Sequence, residues 1–175
     1  MKIAITGSSS RLGKAIADFL IKDHEIYSMD QDLNVYLGKL DDHLKDCDVF
    51  INNSYQFGVQ TELFKEIANL WMYENKTIVN ILTSAIFYGS SIKRYIDDKT
   101  DLHNISLFNN PVDKKLRIIN IYPNALKRSK QTVYSTLDYD DVAEVISYAI
   151  KLPQSIELFS VGINRTSIIE NKGLI

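Results

Sequence analysis

A chain of 175 residues can enclose one domain with a substantial core and little more. Its balance of 45% hydrophobic and 24% charged residues is that of an ordinary globular protein, and a net charge of −2 leaves no cation excess to neutralise a nucleic-acid backbone. The single Cys47 excludes an internal disulfide framework and a cysteine-based zinc site, no apolar run is long enough for a membrane span, and the N-terminus lacks a signal-peptide core, so a cytoplasmic location is expected.

The run Met1-Lys2-Ile3-Ala4-Ile5 predicts a first strand. It passes directly into Thr6-Gly7-Ser8-Ser9-Ser10-Arg11-Leu12-Gly13, and Leu12, Ala15, Ile16, Phe19 and Leu20 then share one helical face. Glu25–Met29 predicts a second strand, closed by Asp30. Leu37, Leu40 and Leu44 suggest a short helix. Residues 48–52 predict a buried strand, and Leu63, Ile67, Leu70 and Trp71 mark the next helix. A strand over 77–82 and a helix over 92–107 follow, the helix stopped by Asn109-Asn110-Pro111. A strand over 116–121 ends before Pro123. Asp138 or Asp140 can cap a helix carrying Val142, Val145, Ile146 and Ala149. The last strand is expected over 156–161, and the tail from Asn164 is polar.

Strands alternating with helices imply a parallel sheet with helices on both faces. Between Asp30 and Val35 there is no room for a crossover helix, which with its connections needs a dozen or more residues. An edge strand and its helix after the second strand are therefore expected to be missing.

The segment after the first strand predicts a phosphate-binding turn. Gly7 permits the tight turn, Gly13 lets the helix start pack close to the strand, and the N–H groups of the helix start face a pyrophosphate. Ser9, Ser10, Arg11 and Leu12 complete the loop. The middle glycine of such loops is replaced, depending on register, by Ser10 or Arg11.

Four segments in order resemble the short-chain dehydrogenase/reductase family. Residues 6–13 are similar to its TGxxxGxG loop, and Asp48-Val49-Phe50-Ile51-Asn52-Asn53-Ser54 to its D-V-L-V-N-N-A-G strand. Ile78-Val79-Asn80-Ile81-Leu82-Thr83-Ser84 is similar to its I-V-N-I-S-S strand, and Tyr95-Ile96-Asp97-Asp98-Lys99 to its YxxxK. Residues 117–123 look like the family's R-V-N-x-x-x-P, and Asp141-Val142-Ala143-Glu144 like its penultimate helix. The resemblance covers residues 1 to about 163. It implies a Rossmann-like, doubly wound parallel sheet of about six strands, reduced by the missing edge strand. Residues 1–163 form a single dinucleotide-binding domain on this reading, and 164–175 a loose tail.

The resemblance implies hydride transfer between NAD(P)(H) and a carbonyl or alcohol. Tyr95 and Lys99 lie four apart on one helical face, so the ammonium is expected to lower the phenol's pKa and make Tyr95 the acid or base. In the family the lysine also holds the nicotinamide ribose. Thr83 matches the family's catalytic serine by strand register, with Ser84 as the backup.

Asp30 ends the second strand, where a carboxylate accepts from an adenosine ribose diol and repels a 2′-phosphate. That favours NAD. Arg11 resembles the basic residue in the loop of pteridine reductases, which use NADP. NAD is expected, with NADP the alternative. Asn52 and Asn53 stand where the family lines adenine ribose and nicotinamide, and Pro123 ends the strand beside the carboxamide site.

The chain departs from the family at several points. Ser54-Tyr55 replaces Ala-Gly, and the segment from Asn52 to Thr83 is short. Nothing matches the family's fourth catalytic residue, an Asn. Asn124 replaces the glycine after Pro123, and Arg128 or Ser129 stands near the place of the carboxamide-binding threonine. The short lid carries Lys127, Arg128 and Lys130, which would favour an anionic substrate unless it is simply a solvated loop. His24, His43 and His103 have no ligand spacing, so no metal is expected. A homodimer or homotetramer is implied, as is a small-molecule substrate. The departures leave a second reading, a weakly active or inactive NAD(P)-binding sensor. A third, an extended-branch nucleotide-sugar epimerase or reductase, lacks its C-terminal substrate domain.

Overall fold

Six parallel strands form one sheet in the order β2-β1-β3-β4-β5-β6. The computed structural model describes residues 1–89, 92–108, 115–126, 137–156 and 158–164. The strands are β1 (Lys2–Thr6), β2 (Glu25–Met29), β3 (Val49–Asn52), β4 (Thr77–Ile81), β5 (Arg117–Pro123) and β6 (Ser160–Ile163). The helices are α1 (Arg11–Leu20), α2 (Leu40–Leu44), α3 (Val59–Leu70), α4 (Ala85–Tyr88), α5 (Lys93–Phe108) and α6 (Tyr139–Lys151). A single 3-10 turn, Leu33–Val35, precedes α2.

Every residue of β3, β4 and β5 is buried. That is why these segments are near-continuous apolar runs rather than alternating ones: helices cover both faces. On one face, Ile3, Ile5, Val49, Ile51, Val79, Ile119 and Ile121 pack against Leu12, Ile16 and Leu20 of α1 and Val142, Ile146 and Ala149 of α6. On the other, Ala4, Phe50, Ile78 and Ile118 pack against Leu40 and Leu44 of α2, Leu63, Phe64 and Ile67 of α3, and Leu102 of α5. Trp71, just past α3, is fully enclosed there. Each such large side chain contributes roughly 1.5–3 kcal/mol by leaving water.

The sheet turns back on itself at β1. Chain order runs outward from β1 to β2, then returns to place β3 on β1's other side. Ligands of open α/β sheets bind at such a reversal, beyond the carboxyl ends of the strands. β2 is the edge strand. Asp30 passes through the 3-10 turn to α2 with no further strand, as the spacing predicts.

Two boundaries differ from expectation. β6 begins at Ser160 rather than near 156, because Asn120 pairs with Ser160 and Pro123 with Ile163, while Ile156 closes a turn on Pro153 O. Leu37 lies between the 3-10 turn and α2 rather than within a helix. The helix α4 has no counterpart in the sequence reading. The expected helix stop at 109–111, most of the lid, and the tail from 165 onward lie outside the described residues.

Candidate active site

The glycine turn forms as its residue types require. Gly7 has φ +64°, a left-handed conformation that favours glycine. A Cβ on Gly13 would stand 2.0 Å from Gly7 O, so α1 can approach the end of β1 only without a side chain there. Ser10 caps α1 by accepting from Gly13 N at 3.1 Å. Across the sheet reversal, Asn53 Nδ2 donates to Thr6 O at 3.0 Å and to Gly7 O and Ser10 Oγ at 3.3 Å, tying the loop to the end of β3. The N–H groups of Arg11 and Leu12 find no protein acceptor among the described residues. They are free first-turn donors at the positive end of a ten-residue helix. This cradle fits a pyrophosphate.

Asp30 faces the loop from the end of β2. Its carboxylate accepts from Ser8 Oγ at 2.7 Å and from Ser9 N at 2.9 Å. Each oxygen retains a lone pair for a further donor. Asp30, Ser8 and Ser9 line a cavity of about 440 Å³ beside Lys14 and Ser28.

A larger cleft of about 950 Å³ opens at the ends of β1, β3, β4 and β5. Ser10, Asn53, Thr83, Ser84, Tyr95 and Lys99 all line it. Thr83, just past β4, accepts from Ala85 N at 3.3 Å and has its side chain near enough to the Tyr95 phenol to favour its ionised form. Ser84 donates to Asn124 Oδ1 at 3.3 Å, within the same cleft. Lys99 is 2% exposed and donates from Nζ to Gln60 Oε1 and to Ile81 O, both at 2.7 Å. Its Nζ lies 5.7 Å from the Tyr95 ring centre and 5.6 Å from that of Tyr55. Tyr55 packs edge-on against Tyr95 at 4.8 Å, and its hydroxyl donates to Asp98 Oδ2 at 3.2 Å.

The electrostatics correct one expectation. Burial pushes the Tyr95 phenol above its ordinary value, and the neighbouring Thr83 side chain opposes this. Lys99 does not bring the phenol down, because its own amine is held at about 7 by burial, with Asp98 acting in the opposite direction. Near neutrality the amine is divided between its charged and neutral forms.

No family model matches the chain, and no curated protein matches it. Solved structures do. Serine dehydrogenase from Escherichia coli superposes with a TM-score of 0.76 over 94% of this chain and 98% of that one, at 13% identity. A short-chain dehydrogenase/reductase from Vibrio parahaemolyticus gives 0.72 over 94% and 99%, at 16% identity. The FolM alternative dihydrofolate reductase 1 from Brucella suis, in complex with NADP, gives 0.66 over 92% of each chain, at 14% identity. The chain has the short-chain dehydrogenase/reductase fold.

Within that fold, Thr83, Tyr95 and Lys99 meet in one cleft, which Ser10, Leu12 and Asn53 also line beside the turn made by Gly7 and Gly13. Pro123 lines the opposite wall, where its carbonyl accepts from Ser84 N. Ser9 and Asp30 lie instead at the second cavity, and Arg11 is exposed at the start of α1. Asn52 is not a cleft residue. Side chains alternate along a strand, and as the neighbour-but-one of Phe50 it points beneath α3. There it donates to Gln60 O at 3.0 Å and Asn80 Oδ1 at 3.2 Å. His43 and His103 pair separately, with the hydroxyls of Tyr27 and Tyr122. Lys127, Arg128, Ser129 and Lys130 lie outside the described residues.

Three residues at the site escaped the sequence reading: Tyr55, Gln60 and Asp98. Gln60 carried a signal. It is the polar member of the stripe Gln60, Leu63, Phe64, Ile67, which is otherwise apolar at helical spacing. Tyr55 had shown only as a departure from the family's Ala-Gly, and its pairing with Asp98 carried no signal, since it joins positions 43 residues apart.

Proposed function

We propose that this protein is an oxidoreductase that moves hydride between NAD(P)(H) and a small carbonyl or alcohol. The observation that carries this reading is the meeting of Thr83, Tyr95 and Lys99 in one cleft that continues to the glycine cradle. Bound nicotinamide would supply or accept the hydride. The chain's own residues supply the rest. Thr83 orients the substrate oxygen by hydrogen bonding. Tyr95 gives that oxygen a proton in reduction and takes it back in oxidation, and its raised pKa suits the donor role. Lys99, with one ammonium N–H beyond the two already bonded, holds the ribose and steadies negative charge on Tyr95. Ser10, Arg11 and Leu12 would hold the pyrophosphate end, on a turn that Gly7, Gly13 and Asn53 shape.

Asp30 supports NAD as the cofactor, since its carboxylate sits where a 2′-phosphate would be repelled. Arg11 supports NADP, and solved neighbours are complexed with NADP. A homo-oligomeric enzyme acting in the cytoplasm is part of the proposal. Sedimentation checks its assembly.

Parallel titration with NADH and NADPH tests the reading, followed by turnover against a panel of carbonyls. The expected result is saturable binding, and NAD(P)H oxidation that Tyr95→Phe reduces at least about 100-fold while leaving binding intact. Absence of binding to either dinucleotide at millimolar concentration rejects the proposal. Binding with no turnover across the panel favours the sensor reading, which the Tyr55 ring packed on Tyr95 also supports.

A further inference from the structure

Gln60 is a polar side chain in the buried stripe of α3, only 3% exposed. A buried primary amide needs partners at both ends. Its Nε2 donates to Asn52 O at 2.8 Å, and Asn52 Nδ2 returns a bond to Gln60 O at 3.0 Å. This reciprocal pair pins the side chain to the end of β3. Once Nε2 is pinned, the planar amide can aim Oε1 in one direction only. Lys99 Nζ stands there, at 2.7 Å.

Lys99 carries its amine on a flexible four-carbon stem that does not fix its own position. Two acceptors fix it from other elements: Gln60 Oε1 on α3 and Ile81 O at the end of β4. The groups that face the amine are otherwise Tyr95 and Asp98 on its own helix and Tyr55 from the β3–α3 segment. The Asp98 carboxylate is engaged with the Tyr55 hydroxyl and Gly58 N. A neutral carbonyl dipole is thus the nearest side-chain support for the ammonium.

We propose that Gln60 is the positioning residue for Lys99, fixing where its amine stands in the cleft and favouring the protonated form. The assignment rests on the reading of Lys99 as part of a reductase site. It gives the β3–α3 junction a role in the chemistry although no side chain of α3 lines the cleft. Carboxamide replaced by carboxylate at the same reach would strengthen the hold on the ammonium. An aliphatic side chain would remove it.

Lysine labelled with 13C at Cε provides the test, because Lys99 can be followed by NMR in the full chain without any cofactor. The Lys99 signal is identified by its loss in Lys99→Met. In the native protein it is expected to titrate near neutrality, with separate shifts for its two Hε protons. In Gln60→Glu the midpoint should rise by about one pH unit or more. In Gln60→Leu it should fall below the native value, and the two Hε shifts should merge as the stem gains freedom. Should Gln60→Leu fail to fold, Gln60→Glu decides alone. An unchanged midpoint in folded Gln60→Glu overturns the proposal, as does an unchanged midpoint with separate Hε shifts in folded Gln60→Leu. Failure to bind NADH or NADPH rejects the reductase reading and leaves this titration readable.

Discussion

Lys99 illustrates how a short sequence motif can place a residue and still misjudge its state. Helical spacing puts Tyr95 and Lys99 on one face, as the structure shows, but spacing carries no information about burial. Burial brings the amine to about 7, and a pH dependence of stability follows. Unfolded lysine titrates near about 10.4, so between neutrality and that value the unfolded chain binds more protons than the folded one. Stability owed to Lys99 therefore rises with pH across this window. Below it both states are protonated and the dependence flattens. Comparison with Lys99→Met isolates the effect: the native chain should gain stability relative to the variant as pH climbs from neutral to alkaline. Paired urea unfolding curves measure this, and a difference independent of pH would contradict the burial of the amine. The place of Thr83 and Ser84 just past β4 was also legible, through the resemblance of that strand end to the family's, and both line the cleft. The contact of Tyr55 with Tyr95 was not legible, because it depends on how the β3–α3 segment folds over the cleft.

Elements were legible where burial leaves a mostly apolar run, as in β1, β3, β4 and β5. The helix α4 was not. None of its four residues is buried, so it offers no periodic stripe to find. β6 was misplaced because its register is set by its partner β5 rather than by its own pattern, which is exposed, half-buried, exposed and buried in turn. The join between β1 and α1 is the element-scale feature with the clearest consequence. Gly13→Ala would force a Cβ against a backbone carbonyl that cannot move aside as a side chain could. A loss of about 1–3 kcal/mol of stability is expected, together with loss of dinucleotide binding, read by calorimetric titration. Gly162→Ala is the control. A Cβ there meets nothing within 4 Å, so neither property should change.

Across the whole molecule, a buried asparagine ladder crosses the sheet beneath α3 and α5. Asn52, Asn80 and Asn120 occupy matching register positions on adjacent strands. Asn52 donates to Asn80 at 3.2 Å, Asn80 to Asn120 at 3.0 Å, and Asn120 to Ser106 Oγ of α5 at 2.9 Å. Through Gln60 the same network reaches Lys99. Asn80→Leu keeps the number of side-chain heavy atoms but strands the neighbouring amides, at a cost of about 1–3 kcal/mol for each group left unsatisfied. Unchanged unfolding in urea would show that the ladder contributes no net stability. The sequence displayed all three asparagines, each inside an apolar strand. That they meet edge to edge follows from strand order and register, which no single strand specifies.

Local pattern alone determined which segments became the central strands, where the glycine turn falls, which helical face carries Tyr95 and Lys99, and that no edge strand follows Asp30. These depend on neighbours a few residues apart, so period, glycine position and chain length suffice to read them. The strand order, the withdrawal of Asn52 from the cleft, the near-neutral amine of Lys99 and the hold that Gln60 has on it were decided only by tertiary structure. Each of these joins groups far apart in the chain, and desolvation exists only once the surrounding elements have packed.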